Sequence, residues 1–308
     1  MTKTPKIWLT GSRGFIGKAL CKALRQDNVD LTCFTQTPGP AQDVVLMDYA
    51  KAENIQETVK SLGLPDVFIH LGWPEVSKPD LPVHLNEGVA TSKTLLETMF
   101  KLGLKKFIFT GSISQYGGLV GRLSEDMAPG PRLTNYAKAK NEVEQLGLQA
   151  AQTYGKIFIS VRIPWAFGAG QRQGSLINDI YQAHLKGTMV SLSPCEHYRD
   201  YIHTTDVVEG LRRVGAVEES GIINLGSGKF VQVKDFVMGF WKNLGGDRTK
   251  LKFGDRPLPS CEPDQPKSYF DLTRLIRLTQ WQPRLSLDEG IRKTIEDLSK
   301  ENAAGTRV

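Results

Sequence analysis

Short apolar runs recur along this chain, and between most of them apolar residues return at helical spacing. The runs Ile7–Thr10, Val29–Phe34, Val44–Met47, Val67–Leu71, Phe107–Thr110 and Ile157–Val161 each read as a buried strand. Ile16, Ala19, Leu20, Ala23 and Leu24 share one face of a helix. Further helices are predicted from Val89 to Leu102 and from Tyr136 to Tyr154. Strands that are apolar throughout, alternating with helices, predict an α/β fold with a doubly wound parallel sheet covered on both faces. Past Pro164 the pattern breaks up under Gly, Pro and aromatic residues, and Ile222–Leu225 supplies one more core strand. The expected division is a sheet domain over 1–164, to which 198–227 returns, and a smaller discontinuous lobe over 165–197 and 228–308. From Val231 onward, short helices and links carrying Pro257, Pro259, Pro263 and Pro266 are expected, with a frayed tail from Asn302.

Composition narrows the function classes. The 308 residues are 40% hydrophobic and 23% charged, ordinary for a soluble globular protein, and no apolar run approaches a membrane span. The N-terminus has no apolar leader-like stretch, and Cys21, Cys33, Cys195 and Cys261 form no zinc-like spacing, so a reduced, cytoplasmic protein without a metal site is expected. The formal charge of +6 comes from 39 basic and 33 acidic residues dispersed along the chain. That distribution argues against nucleic acid and suits a small anionic ligand.

The first strand runs into Gly11-x-x-Gly14-x-x-Gly17 and then a helix. Gly11 suits a tight turn, Gly14 a close approach to pyrophosphate, and Gly17 close packing of helix on strand. This is the context of dinucleotide binding in a Rossmann fold, with Phe15 and Ile16 opening the helix whose N–H groups face the phosphates. NAD selectivity usually rests on an acid at the end of the second strand. That place reads Phe34-Thr35-Gln36-Thr37 and has none, while Arg13 within the loop suits a 2′-phosphate. NADP(H) is therefore favoured, with NAD(H) as the alternative; Arg13 is otherwise a solvated surface arginine. Asp48 follows the third strand, either as an adenine contact or as a strand-end cap.

The fifth strand ends in Thr110-Gly111-Ser112, and Tyr136 and Lys140 lie i and i+4 on a later helix, on one face. A phenol with an ordinary pKa of about 10 acts near neutral pH only if its surroundings stabilise the charge it develops. A lysine ammonium one turn away is one such group. Ser112 would hydrogen-bond the substrate oxygen, with Ser114 as the second candidate, and Tyr136 would pass the proton. Taken alone, Tyr136 and Lys140 are also compatible with an ordinary amphipathic helix.

Together these stretches resemble the extended short-chain dehydrogenase/reductase family of nucleotide-sugar epimerases, dehydratases and reductases. The resemblance runs from Thr10–Gly17 through His70-Leu71-Gly72-Trp73, Ser112–Gly117, Tyr136/Lys140 and Arg199-Asp200-Tyr201-Ile202-His203 to Gln280-Trp281-Gln282-Pro283. It implies that Ser112, Tyr136 and Lys140 are catalytic. It implies a cofactor site of Gly11, Arg13, Gly14, Phe15, Ile16, Gly17, Asp48, Leu71, Gly72, Asn86, Tyr136, Lys140 and Ile163. Trp73, Trp165, Arg199 and Ser112 would meet the sugar nucleotide; Arg199 could otherwise pair with Asp200. The dehydratases of the family carry Asp-Glu after the catalytic hydroxyl residue, where this chain has Ile113-Ser114, so elimination of water is not expected. The family's frequent Asn after the sixth strand is replaced in Arg162-Ile163-Pro164-Trp165, and its Arg…Asp pattern is matched only loosely by Arg256 and Asp264. The branch most resembled reduces 4-keto-6-deoxyhexoses on nucleotide carriers. An epimerase with tightly held NAD and a non-catalytic dinucleotide sensor are the alternatives. By the same resemblance, the helices 89–102 and 136–154 would pair across a homodimer axis.

Overall fold

The computed structural model describes residues 4–38, 44–257 and 267–303. Cys261, Pro259, Pro263, Asp264, Pro266 and the tail beyond Ala303 lie outside the described residues. Seven strands form the main sheet: β1 (Lys6–Thr10), β2 (Asp30–Thr35), β3 (Val44–Leu46), β4 (Val67–His70), β5 (Lys106–Ser112), β6 (Ile157–Ile163) and β7 (Gly221–Asn224). Their order is β7-β6-β5-β4-β1-β2-β3, and every pair is parallel. The order reverses between β1 and β4, where a doubly wound sheet opens a crevice beyond its carboxyl ends.

Helices cover both faces: α1 (Phe15–Leu24), α2 (Ala52–Leu62), α3 (Val89–Lys101), α4 (Asn135–Tyr154), α5 (Leu176–Lys186) and α6 (Thr204–Gly215) precede α7 (Val233–Asn243), α8 (Thr273–Thr279) and α9 (Leu287–Ala303). The C-terminal region is thus less fragmented than its prolines predict, since α9 alone runs for 17 residues. On one face of the sheet, Trp8, Phe68, Phe107 and Phe158 occupy the same level of four neighbouring strands. Their rings meet edge-on or stacked, as for Phe68 and Phe107 at 5.2 Å. All four are essentially fully buried, each stabilising the sheet by about 1.5–3 kcal/mol over an exposed ring. The other face packs Leu9, Ile69, Ile108, Ile159 and Val161 with α1 and α6 residues such as Leu20, Val207 and Leu211.

Two features set where α4 lies. Thr134 caps its start by accepting the Ala137 N–H, and Gly155 ends it in a left-handed turn. At its middle, a Cβ on Gly147 would lie 2.2 Å from the Phe158 ring, so only glycine lets the helix approach this closely. The helix is thereby held down on β5 and β6. β5 in turn outruns β4: their register ends at His70↔Phe109, while β5 and β6 continue together to Ser112↔Ile163. The overhang of Thr110, Gly111 and Ser112 forms the floor of the crevice.

After β6 the chain makes short strand pairs, including Trp165–Phe167 with Tyr201–His203 and Tyr198–Arg199 with Val231–Gln232. A separate apolar cluster of Phe167, Tyr201, Phe236, Phe240 and Trp241 supports them. Among the described residues no helix is long and apolar enough to cross a membrane.

Candidate active site

A cleft of about 2170 Å³ runs from the end of β2, across β1, β4 and β5, to Trp165 and Arg199. At one end lies the glycine loop. Gly11 adopts φ +76°, a conformation other residues rarely take, and a Cβ on Gly17 would fall 2.0 Å from the Gly11 carbonyl oxygen. The Gly14 N–H donates to Gly11 O at 3.0 Å and closes the turn. No side chain caps α1, so its first-turn N–H groups and the positive end of the helix dipole are open to an anion. The Ser12 hydroxyl, buried within the loop, has no hydrogen-bond partner among the described residues. An orphaned donor, an uncapped helix start and glycines that leave the loop bare all fit a dinucleotide pyrophosphate.

Gly11, Arg13, Gly14, Phe15, Ile16 and Gly17 all line this cleft. Arg13 reaches the end of β2, where its Nη1 donates to Thr37 O at 3.1 Å and its Nε is buried without a hydrogen-bond partner among the described residues. Leu71 and Gly72 line the cleft after β4, fastened to β1 by Leu71 N–H to Thr10 O and Gly72 N–H to Thr10 Oγ1. Ile163 lines it beside Ser112.

Two residues fall elsewhere. Asp48 is outside the lining: its carboxylate accepts the Ala50 N–H and pairs with Lys51 at 3.2 Å, the strand-end cap. Its neighbours Tyr49 and Ala50 face the cleft instead. Asn86 is exposed and also outside the lining. It lies in a π-helical turn, His84–Gly88, that presents Glu87 and Gly88 to the cleft.

At the centre, Ser112, Tyr136 and Lys140 converge. The Ser112 N–H donates to Gln115 Oε1 at 2.7 Å, and the Ser112 hydroxyl accepts the Ser114 N–H at 3.2 Å, a reciprocal cap on the short helix Ile113–Tyr116. Ser114 also lines the cleft, and its hydroxyl accepts a bond from Ser112 Oγ at 3.2 Å. The Tyr136 phenol lies beside Ser112, whose influence favours ionisation against the larger effect of burial, and the Tyr136 N–H donates to Pro79 O at 2.8 Å. Lys140 Nζ donates to Thr110 O at 2.8 Å. Burial pushes the Tyr136 phenol up to about 12 and Lys140 well below the usual lysine range. The phenol is therefore protonated at neutral pH, the form that can donate.

Behind this group lies a buried polar framework that sequence reasoning missed. Gln115 Nε2 donates to Asn141 Oδ1 and to Glu144 Oε2. Glu144 accepts from Ser160 Oγ at 2.6 Å and pairs with Arg162 at 2.5 Å, with both charged side chains buried. Glu144 follows Lys140 by one helical turn, as Lys140 follows Tyr136, so the shared stripe on α4 was the available signal. His70, also missed as a functional residue, hydrogen-bonds Thr10 Oγ1 at 2.6 Å and Ser92 Oγ at 3.1 Å. Burial and the Lys140 charge lower its pKa to about 3. Its contribution to stability is complete above the unfolded value of about 6.5 and is lost as pH falls through the folded value. The His70 ring resonance in NMR is expected to stay at its neutral position from about pH 8 to about pH 5; a titration near 6.5 would contradict this burial.

At the far end, the Arg199 guanidinium lies 4.6 Å from the centre of the Trp165 ring, and both residues line the cleft. Asp200 is turned away: its buried carboxylate accepts from Ser227, Gly228 and Phe270. Trp73 lines the cleft between the two ends.

A parallel doubly wound sheet, a glycine loop at its first turn and a Ser/Tyr/Lys group on β5 and α4 define an enzyme of the short-chain dehydrogenase/reductase type. Residues 7–226 match the model of the NAD dependent epimerase/dehydratase family, and the chain belongs to that family. It is 26% identical over 223 residues to UDP-glucuronate 4-epimerase of Thermodesulfobacterium geofontis, covering 71% of this chain and 67% of that one. It is 26% identical over 316 residues to dTDP-4-dehydro-6-deoxyglucose reductase of Escherichia coli, covering 95% and 97%. Its fold matches that of MoeE5 in complex with UDP-glucuronic acid and NAD, with a TM-score of 0.79 at 23% identity, over 96% of this chain and 99% of that one. The protein is thus an NAD(P)-dependent enzyme of a family of nucleotide-sugar epimerases, dehydratases and reductases.

Proposed function

We propose that this protein is an NADPH-dependent reductase of a keto sugar on a nucleotide carrier, with a 4-keto-6-deoxyhexose as substrate. The observation that carries this reading is Arg13, aimed at the acid-free end of β2 with its Nε unpartnered among the described residues. A guanidinium there favours a 2′-phosphate, and an enzyme that takes up and releases NADPH suits net reduction. Gly11, Gly14, Phe15, Ile16 and Gly17 would hold the pyrophosphate of the cofactor, with Leu71, Gly72 and Ile163 along its length, and the bound nicotinamide would be the source of hydride for the carbonyl carbon. Asp48 and Asn86, which lie outside the cleft lining, are left out of this proposal.

The Tyr136 and Ser112 hydroxyls would both point at the keto oxygen. Tyr136 donates its proton to that oxygen as the carbonyl becomes an alcohol, and Lys140 stabilises the phenolate left behind. Trp165 would wall the sugar, Trp73 would border it, and Arg199 would meet the diphosphate. Ile113 is buried and Ser114 is engaged with Ser112, so the place after the catalytic serine offers no acid and base for eliminating water. The likeness to a dTDP-4-dehydro-6-deoxyglucose reductase supports the same reading.

The likeness to UDP-glucuronate 4-epimerase supports a second reading, in which NAD stays bound and is recycled. Cofactor released from purified protein by acid separates them. The reductase reading expects little NAD and oxidation of added NADPH by a 4-keto-6-deoxy sugar nucleotide. Stoichiometric NAD, with no NADPH oxidation on any carrier tried, favours the epimerase. Arg13→Ala is expected to weaken NADPH binding about tenfold or more and to leave NADH binding nearly unchanged, since a charge-assisted hydrogen bond contributes roughly 1.5–3 kcal/mol. Equal loss for both cofactors in a titration would contradict the 2′-phosphate role.

A further inference from the structure

We infer that Trp73 and His84 form a brace for the reacting pair, with the Trp73 π face positioning the Lys140 ammonium beside Tyr136. This rests on the role proposed above for Tyr136 and Lys140. Lys140 Nζ lies 3.9 Å from the Trp73 ring centre, 4.4 Å from that of Phe109 and 5.7 Å from that of Tyr136. Its hydrogen-bond partner is a neutral backbone carbonyl, Thr110 O, and it makes no ion pair among the described residues. A buried ammonium without a counter-ion is costly, and aromatic faces are the stabilising groups at hand.

Trp73 is held in place from behind. Its indole N–H donates to His84 Nδ1 at 3.1 Å, so the proton of His84 is on Nε2, which donates to Lys78 O at 2.9 Å. His84 is fully buried. Its ring also meets the Tyr136 ring edge-on at 5.4 Å, so one imidazole touches both the brace and the reacting phenol. The wall beside the indole is bare backbone: a Cβ on Gly88 would lie 2.9 Å from Trp73 Cζ2. His84 and Gly88 are the two ends of the π-helical turn, a device often found where function needs a displaced side chain. The other titratable groups facing Lys140 are Tyr136 on its own helix and His70 on β4, and burial holds both neutral at neutral pH. Trp73 is therefore a positioning residue as well as a cleft wall.

The test follows Lys140 itself in full-length protein labelled with 13C-lysine, its ε-carbon resonance assigned by disappearance in Lys140→Met. Trp73→Leu is expected to lower the pH at which Lys140 titrates by about one pH unit or more, and Trp73→Phe to restore part of the difference. Should Trp73→Leu not fold, tryptophans bearing successive ring fluorines at position 73 weaken the π face at nearly constant shape. The titration is then expected to move down stepwise with fluorine number. A Lys140 titration unmoved by fluorination, or by Trp73→Leu in folded protein, overturns the inference. The readout requires no turnover, so its failure leaves the proposed reaction standing, and failure of that reaction leaves this result intact.

Discussion

Tyr136→Phe is expected to lower turnover by about 10²–10⁴-fold while leaving NADPH binding and the fold nearly unchanged. The substitution removes only the hydroxyl beside Ser112. The ring that packs edge-on against His84 and Trp73 remains, so α4 keeps its position. Because burial holds the phenol near 12, the donating form is fully populated through the neutral range, and the reductive rate should be flat there. Steady-state rates of the variant, beside a cofactor titration, check both parts. A variant within about tenfold of native turnover would move the proton-donor role to another group, with Ser114 the nearest candidate.

Arg162→Met is expected to reduce stability by about 3–5 kcal/mol, a large part of the roughly 5–15 kcal/mol typical of a folded protein. The physical reason is what it leaves behind. Glu144 is completely buried, and without Arg162 its charge retains, among the described residues, the hydrogen bonds from Ser160 and Gln115. Removing both charges with Arg162→Met/Glu144→Gln should recover much of the loss, because the stranded carboxylate is then gone. Denaturant unfolding of the three proteins decides the matter: a single variant within about 1 kcal/mol of native contradicts the picture of a dry ion pair. The single variant should also slow turnover beyond its effect on stability, since Glu144 holds Gln115, and Gln115 holds the Ser112 backbone.

Much of this was legible in the sequence for definite reasons. Strands buried on both faces read as continuous apolar runs, so the main-sheet strands could be placed to within a few residues. The glycine loop announces itself because a turn, an anion site and a close helix–strand contact all require glycine within seven positions. Tyr136 and Lys140 are related by one helical turn, which is local information. Ser112 is different: it was chosen as the hydroxyl at a strand end, but its place beside them depends on the overhang of β5 and on Gly147 admitting α4 to the sheet, which no local pattern carries.

The departures from the expected arrangement share a cause. A resemblance transfers a position along the chain but not the direction of a side chain. Asp48 is captured by its own turn, through Ala50 and Lys51. Asn86 is turned outward by the π-helical turn, which puts Gly88 against Trp73 instead. The Trp73–His84 bond and the Glu144–Arg162 pair join residues from different elements, and nothing in a periodic pattern marks them. The long α9 was hidden by the prolines that precede it.

The central claim is net hydride transfer from NADPH to a keto carbon of a nucleotide-linked sugar, with Tyr136 supplying the proton. The most direct measurement uses NADPH deuterated at the transferring position, mixed with a nucleotide-linked 4-keto-6-deoxyhexose and native protein or Tyr136→Phe. One deuterium at C4 of the product sugar is expected for each NADP⁺ formed by native protein, and almost none with the variant. Keto sugar left unreduced with NADPH unconsumed, or a product bearing hydrogen in place of deuterium at C4, would contradict it.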